Sequence, residues 1–141
     1  MPDNPAPIPL GQARIHREGS DVTLVAVGHL VIDALAVAAA LAGDISVEVF
    51  DPRTVYPFDW AGLRASLEKT GRLVVVDDTN RTCGLAAEIV ATAAEEMPLR
   101  AKPIRVTRAD ATIPFAVGLE EALLPSRKQI EYAVKTVAKE R

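Results

Sequence analysis

Only a few side chains in this sequence are placed to do chemistry. Asp77-Asp78 closes the apolar run Leu73-Val74-Val75-Val76. Paired carboxylates can bind Mg²⁺ or work as acid and base. Adjacent strand residues point to opposite faces, however, which sets these two against convergence. Solvated strand-end carboxylates that cap the following loop are the plainer expectation. Gly28-His29 falls where a β-branched run gives way to a helical pattern. Such a turn can hold an anion on helix N–H groups, and histidine is suited to proton transfer near neutral pH. There is no G-x-G-x-x-G and no P-loop, so Gly28 reads first as a tight-turn glycine and His29 as a capping or interface residue. Arg53 follows a strand and could grip a carboxylate bidentately. Cys83 precedes a helix, whose N-terminus can stabilise a thiolate. No histidine is near it in sequence, so it reads as a small, partly buried residue. Arg100, Lys102 and Arg105 form a basic cluster, and Asp110, Glu120 and Glu121 an acidic surface near the last helices. Both groups are candidates for partner contact, with a solvated face as the default. No catalytic, cofactor-binding or metal-ligating residue is assigned.

The bulk of the chain narrows the classes. Its 141 residues suit one domain with a real core, and 49% hydrophobic with 25% charged residues suits a folded domain rather than a disordered tail. Aromatics make up 4%, so Ala, Val, Leu and Ile must fill the core. A net charge of -3 gives no global field for nucleic acid, and no aromatics interleave the basic cluster. A single cysteine excludes an internal disulfide, two histidines leave little for a structural zinc, and a reducing cytoplasm is the expected setting. The Pro-rich opening, Met1-Pro2-Asp3-Asn4-Pro5-Ala6-Pro7, lacks the basic start and apolar run of a signal peptide, and no stretch is apolar enough to span a bilayer.

The elements follow from periodicity and punctuation. Residues 1–11 are expected to be an arm or linker and residues 12–141 one domain. Gln12 to Arg17 suits a short edge strand, and Val22 to Val27 a buried strand ended by Gly28. Leu30 to Ala42 favours a helix with Val31, Leu35, Ala38 and Ala42 on one face and Gly43 at its stop. Ile45 to Phe50 reads as a strand left through Pro52. Asp59 should N-cap the next helix, with Phe58 and Leu63 as a hydrophobic staple, and Gly71 should end it. A strand at Leu73–Val76, a loop at Thr79–Gly84, a helix at Leu85–Glu96, a strand at Ile104–Thr107 and a short helix at Phe115–Leu124 follow. Ser126 and Gln129 form a capping-box pattern before a helix that presents Ile130, Ala133, Val134 and Val137 on one face. Repeated strand–helix units predict a three-layer α/β/α sandwich with a mostly parallel sheet of about five strands and an antiparallel edge strand.

Ordered blocks along the chain resemble a known family. They are Ile8-Pro9-Leu10-Gly11-Gln12-Ala13, Asp21-Val22-Thr23-Leu24-Val25, Val47-Glu48-Val49-Phe50-Asp51, Arg53-Thr54-Val55-Tyr56-Pro57-Phe58-Asp59, Lys69-Thr70-Gly71-Arg72-Leu73-Val74-Val75-Val76, Gly84-Leu85-Ala86-Ala87-Glu88-Ile89 and Ile113-Pro114-Phe115, closed by Leu119-Glu120 and Leu124-Pro125-Ser126. The series resembles the C-terminal, transketolase C-terminal-like domain of the beta subunit of thiamine-dependent 2-oxo acid dehydrogenases of the pyruvate, branched-chain or acetoin type. The Arg-Thr-x-x-Pro-x-Asp block favours that branch over transketolases and deoxyxylulose-phosphate synthases.

The resemblance implies a domain that builds subunit interfaces and helps dock an acyltransferase core. The thiamine diphosphate and Mg²⁺ of the full complex would then be held by an alpha-type subunit and the cofactor-binding half of the beta subunit. It implies a homodimer through this domain, and a structural ion pair for Arg53. A beta subunit is more than twice this length, so the chain is expected to be either a piece of one or a naturally split subunit. Where the family often has an acidic residue ahead of Ala-Pro, this chain has Leu99-Arg100-Ala101-Lys102-Pro103, whose positive charge opposes docking of a basic partner domain. Two other readings are a stand-alone module that binds a protein or an anion, and a small hydrolase or phosphotransferase built on Asp77 and Asp78.

Overall fold

A computed structural model describes residues 7–140. Most of the expected arm, residues 1–6, lies outside the described residues. Five strands form one sheet: β1 (Arg14–Arg17), β2 (Val22–Ala26), β3 (Val47–Asp51), β4 (Leu73–Asn80) and β5 (Ile104–Arg108), in the order β1-β3-β2-β4-β5. β1 is antiparallel to β3, and the other pairings are parallel. Five helices complete the chain: α1 (Leu30–Ala40), α2 (Trp60–Thr70), α3 (Leu85–Glu96), α4 (Val117–Leu123) and α5 (Arg127–Lys139).

The three layers follow from side chains alternating across fully buried strands. Leu24 and Ala26 of β2, Val47 and Val49 of β3, and Val74 and Val76 of β4 meet α1 and α5 on one face. Val25, Phe50, Leu73 and Val75 meet α2 and α3 on the other. Ala34 and Ala38 are fully buried, so an Ala-rich α1 sits close against the sheet. The four residues expected on the inner face of α5 are all buried there, and its capping box is formed.

The ends of α2 fall where the sequence predicts, whereas those of β4 and α1 do not. Asp59 N-caps α2 by accepting from the Gly62 N–H, and Gly71 ends that helix at φ 64°. β4 runs on through Asp77 and Asp78 to Asn80 rather than stopping at Val76, because Asp77 is buried and its carboxylate is satisfied there. α1 stops at Ala40, before Ala42 and Gly43: Ala42 is exposed, so no core contact draws the helix on. α4 buries none of its residues. Among the described residues, no helix is long and apolar enough to cross a membrane.

The chain runs outward from β2 to β3, then crosses over β2 to reach β4 and β5. The connections after β2 and after β4 therefore leave toward opposite faces. The crevice between the carboxyl ends of those two strands is where ligands of open α/β sheets gather.

Candidate functional site

The crevice holds Gly28-His29 from the end of β2 and Asp77-Asp78 from β4. Gly28 adopts φ 61°, which bears out the tight-turn reading. His29 occupies the N-cap position of α1 but caps nothing, which corrects the expected capping role. Its Nδ1 lies 3.7 Å from Asp78 Oδ2, with the side chains 59% and 44% exposed, a surface pair of small energetic weight.

The two carboxylates diverge, as strand geometry requires. Asp77 is fully buried, not solvated. It accepts from the Thr79 hydroxyl, from the Thr79 N–H and, at 3.2 Å, from the Ala86 N–H in the first turn of α3. The burial corrects the sequence expectation, while its capping part holds. With Asp77 committed to a helix start and Asp78 on the outer side, the pair cannot converge on one metal or one substrate atom. The hydrolase reading loses its basis.

Asp51, at the end of β3, gathers a second cluster. Its Oδ2 lies 3.0 Å from His16 Nε2 and 3.8 Å from Arg53 Nε, and its Oδ1 accepts from the Arg53 N–H at 2.9 Å. The ion pair implied for Arg53 is present but loose, because the short contact goes to His16. Arg53 sits at φ 58°, a conformation non-glycine residues rarely adopt. The structure thus places Gly28 and Arg53 on one cavity and His29 outside it.

The remaining candidates are dispersed. Cys83 is exposed, not partly buried, and sits at φ 56° in the loop leading to α3. Arg100 is exposed with its aliphatic stem over Gly71, where an added Cβ would lie 2.6 Å from Arg100 Cγ. Lys102 is exposed, its N–H bonded to the Glu140 carboxylate. Arg105 instead donates from Nη1 to the Arg81 carbonyl. Asp110 binds the Thr82 hydroxyl and N–H, which hold its carboxyl below the usual range. Glu120 is half-buried and Glu121 exposed on α4.

Two features escaped the sequence reading. Glu48 is fully buried in β3, with Oε2 on Lys69 Nζ and Oε1 without a partner, and Lys69 also binds Glu18 at 2.9 Å. Glu48 raises the lysine pKa, and Lys69 lowers that of Glu18. A charge inside a core strand was the available signal. The second is the run Ile113, Phe115, Val117 and Leu119, exposed at 52%, 104%, 68% and 61%. The sequence predicts only a short helix at Phe115–Leu124; the structure shows the apolar run uncovered.

Among the described residues no group of three or more His, Cys, Asp or Glu is arranged to hold a metal ion. With the crevice carboxylates diverging as well, these residues do not fit a magnesium–diphosphate group.

Residues 11–130 match the family model described as transketolase, C-terminal domain. The chain is 43% identical over 133 residues to the beta subunit of acetoin:2,6-dichlorophenolindophenol oxidoreductase from Bacillus subtilis, covering 92% of this chain and 39% of that protein. It is 41% identical to the pyruvate dehydrogenase E1 component subunit beta from Staphylococcus epidermidis, covering 92% and 41%. It thus spans about two fifths of the length of these relatives. Among solved structures, a split-gene transketolase described as an inactive beta4 tetramer superposes with a TM-score of 0.83 at 27% identity, over 95% of this chain and 45% of that one. Fold, ordered sequence blocks and family model agree, and the chain belongs to the transketolase C-terminal domain family, in the form found in the beta subunits of 2-oxo acid dehydrogenases.

Proposed function

We propose that this chain is the C-terminal assembly and docking domain of a thiamine diphosphate-dependent 2-oxo acid dehydrogenase beta-type subunit. It contributes surfaces rather than bond-making groups. Oxidative decarboxylation of a 2-oxo acid belongs to the full complex, where an alpha-type subunit and the cofactor-binding half of the beta-type subunit hold thiamine diphosphate and Mg²⁺. The domain pairs with a second copy of itself, and cytoplasm is the proposed setting.

The observation that carries this reading is the uncovered apolar run from Ile113 to Leu119, continued by an α4 that buries none of its own residues. Exposed phenylalanine and valine in one run mark a surface made to be covered. Each fully covered side chain of that size is worth about 1.5–3 kcal/mol. Arg100 and Lys102 stay exposed beside β5, so docking at that place favours an acidic partner surface over a basic one.

Phe115→Asp together with Val117→Asp should shift the chain from dimer to monomer in sedimentation velocity, with an unchanged circular dichroism spectrum. A wild-type chain that stays monomeric at high concentration, or a variant as dimeric as wild type, would remove the homodimer.

A further inference from the structure

A cavity of about 540 Å³ opens at the carboxyl end of β3, beneath the segment that enters β1. Ile8, Leu10, Val27, Pro52 and Val55 make its walls mostly apolar. Arg53 brings the positive charge to it.

The surroundings restrict what this cavity can recognise. The side chain of Arg53 is 23% exposed, and its contact with Asp51 runs through Nε at 3.8 Å. Arg53 lines the cavity, and among the described residues its two terminal nitrogens have no acceptor, which leaves them open to a ligand. Thr54 has no hydrogen to offer, because its hydroxyl donates to the Pro57 carbonyl and accepts from the Gly11 N–H. The first turn of α1 adds little: the Leu30, Val31 and Ile32 N–H groups are taken by the carbonyls of Val27, Gly28 and His29. The Arg53 guanidinium is therefore the one cationic group on the cavity among the described residues, with the Gly28 N–H, which has no protein acceptor, as a second donor; Asp51 beside the guanidinium offsets part of its charge. That balance suits a single negative charge in planar, two-oxygen form better than a phosphate dianion. The apolar walls suit a short aliphatic tail.

We propose that this cavity binds a small aliphatic monocarboxylate. Its two oxygens lie on the terminal nitrogens of Arg53, and its tail lies against Leu10, Val27 and Val55. The left-handed backbone at Arg53 is held by the Asp51 carboxylate on its own N–H, and the residue lines the cavity. This site is independent of the assembly surface around Phe115 and does not rest on that role.

The test is a titration of the ¹⁵N-labelled chain with butyrate, butyramide and inorganic phosphate, followed by amide chemical shifts. Butyrate should give saturable shifts at Gly28, Arg53 and Val55, while the neutral isostere butyramide and phosphate bind at least tenfold more weakly. Arg53→Asn, which tolerates the left-handed backbone, should keep the dispersed spectrum and lose the butyrate response. Arg53→Lys, with a point charge in place of the fork, should weaken it about tenfold. Equal binding of butyrate and butyramide, tighter binding of phosphate, or an undiminished butyrate response in Arg53→Asn would each overturn the proposal. The ligand comparison needs no variant, so it decides even if a substitution unfolds the chain.

Discussion

Asp77→Ala lowers the stability of the fold by about 3 kcal/mol, whereas Asp78→Ala changes it by less than about 0.5 kcal/mol. The two residues are adjacent and chemically identical, so the contrast isolates their environments. Asp77 is fully buried and satisfies the Thr79 hydroxyl and the Ala86 N–H. Alanine leaves the buried Ala86 N–H and the part-buried Thr79 hydroxyl and N–H without this acceptor and removes a negative charge from the amino end of α3. Asp78 loses only a 3.7 Å pair with His29 in water. For a domain of this size the difference corresponds to roughly 10 °C in melting temperature, readable by calorimetry. Equal effects at the two positions would mean that the carboxylates share one environment, and the catalytic reading of the pair would return.

The second large effect is expected at Lys69. Lys69→Met strands Glu48, which is fully buried and already has one oxygen without a partner. Removing one member of a buried pair typically costs about 3–5 kcal/mol. Lys69 itself is 40% exposed, so water screens part of its attraction and about 2–3 kcal/mol is the expected loss. Adding Glu48→Gln to Lys69→Met should restore most of it, since the stranded charge is then gone. Glu18→Gln alone should change little, because Glu18 is open to solvent. Urea unfolding of the set checks the pattern; a double variant no better than Lys69→Met would place the loss in packing of the lysine stem. The pH dependence has two edges. Lys69, raised above its ordinary 10.5, contributes stability that is complete below that value and fades as pH rises through the higher folded value. Glu18, lowered from 4.5, contributes above that value and loses its share as pH falls through the lower folded value.

Much of the fold was legible because local signals agreed with one another. The α5 face, its Ser126–Gln129 box, the Asp59 cap and the Gly71 stop each have a nearby physical cause, and each appears as expected. Places decided by distant partners were less legible. β4 runs past Val76 because Asp77 meets Thr79 and α3, which the sequence does not place beside it. Cys83 and His29 lie at helix starts, as their neighbours suggest, yet their exposure and partners depend on how loops leave the sheet. The Ile113–Leu119 run has the composition of a core, and only its place outside both core layers gives it the character of an interface. Gly28 and Arg53 meet on one cavity because β2 and β3 are sheet neighbours, a pairing that residue spacing does not disclose.

Reconstitution tests the assembly role most directly. The chain, an alpha-type subunit and the cofactor-binding half of a beta-type subunit are purified separately and combined with thiamine diphosphate and Mg²⁺. Complex mass by light scattering and decarboxylation of 2-oxo acids are then followed together. The expected result is one complex containing all three chains, active as a whole, with the isolated chain inactive and binding no thiamine diphosphate. Decarboxylation by the isolated chain, or an active complex that forms equally well without it, would contradict the account.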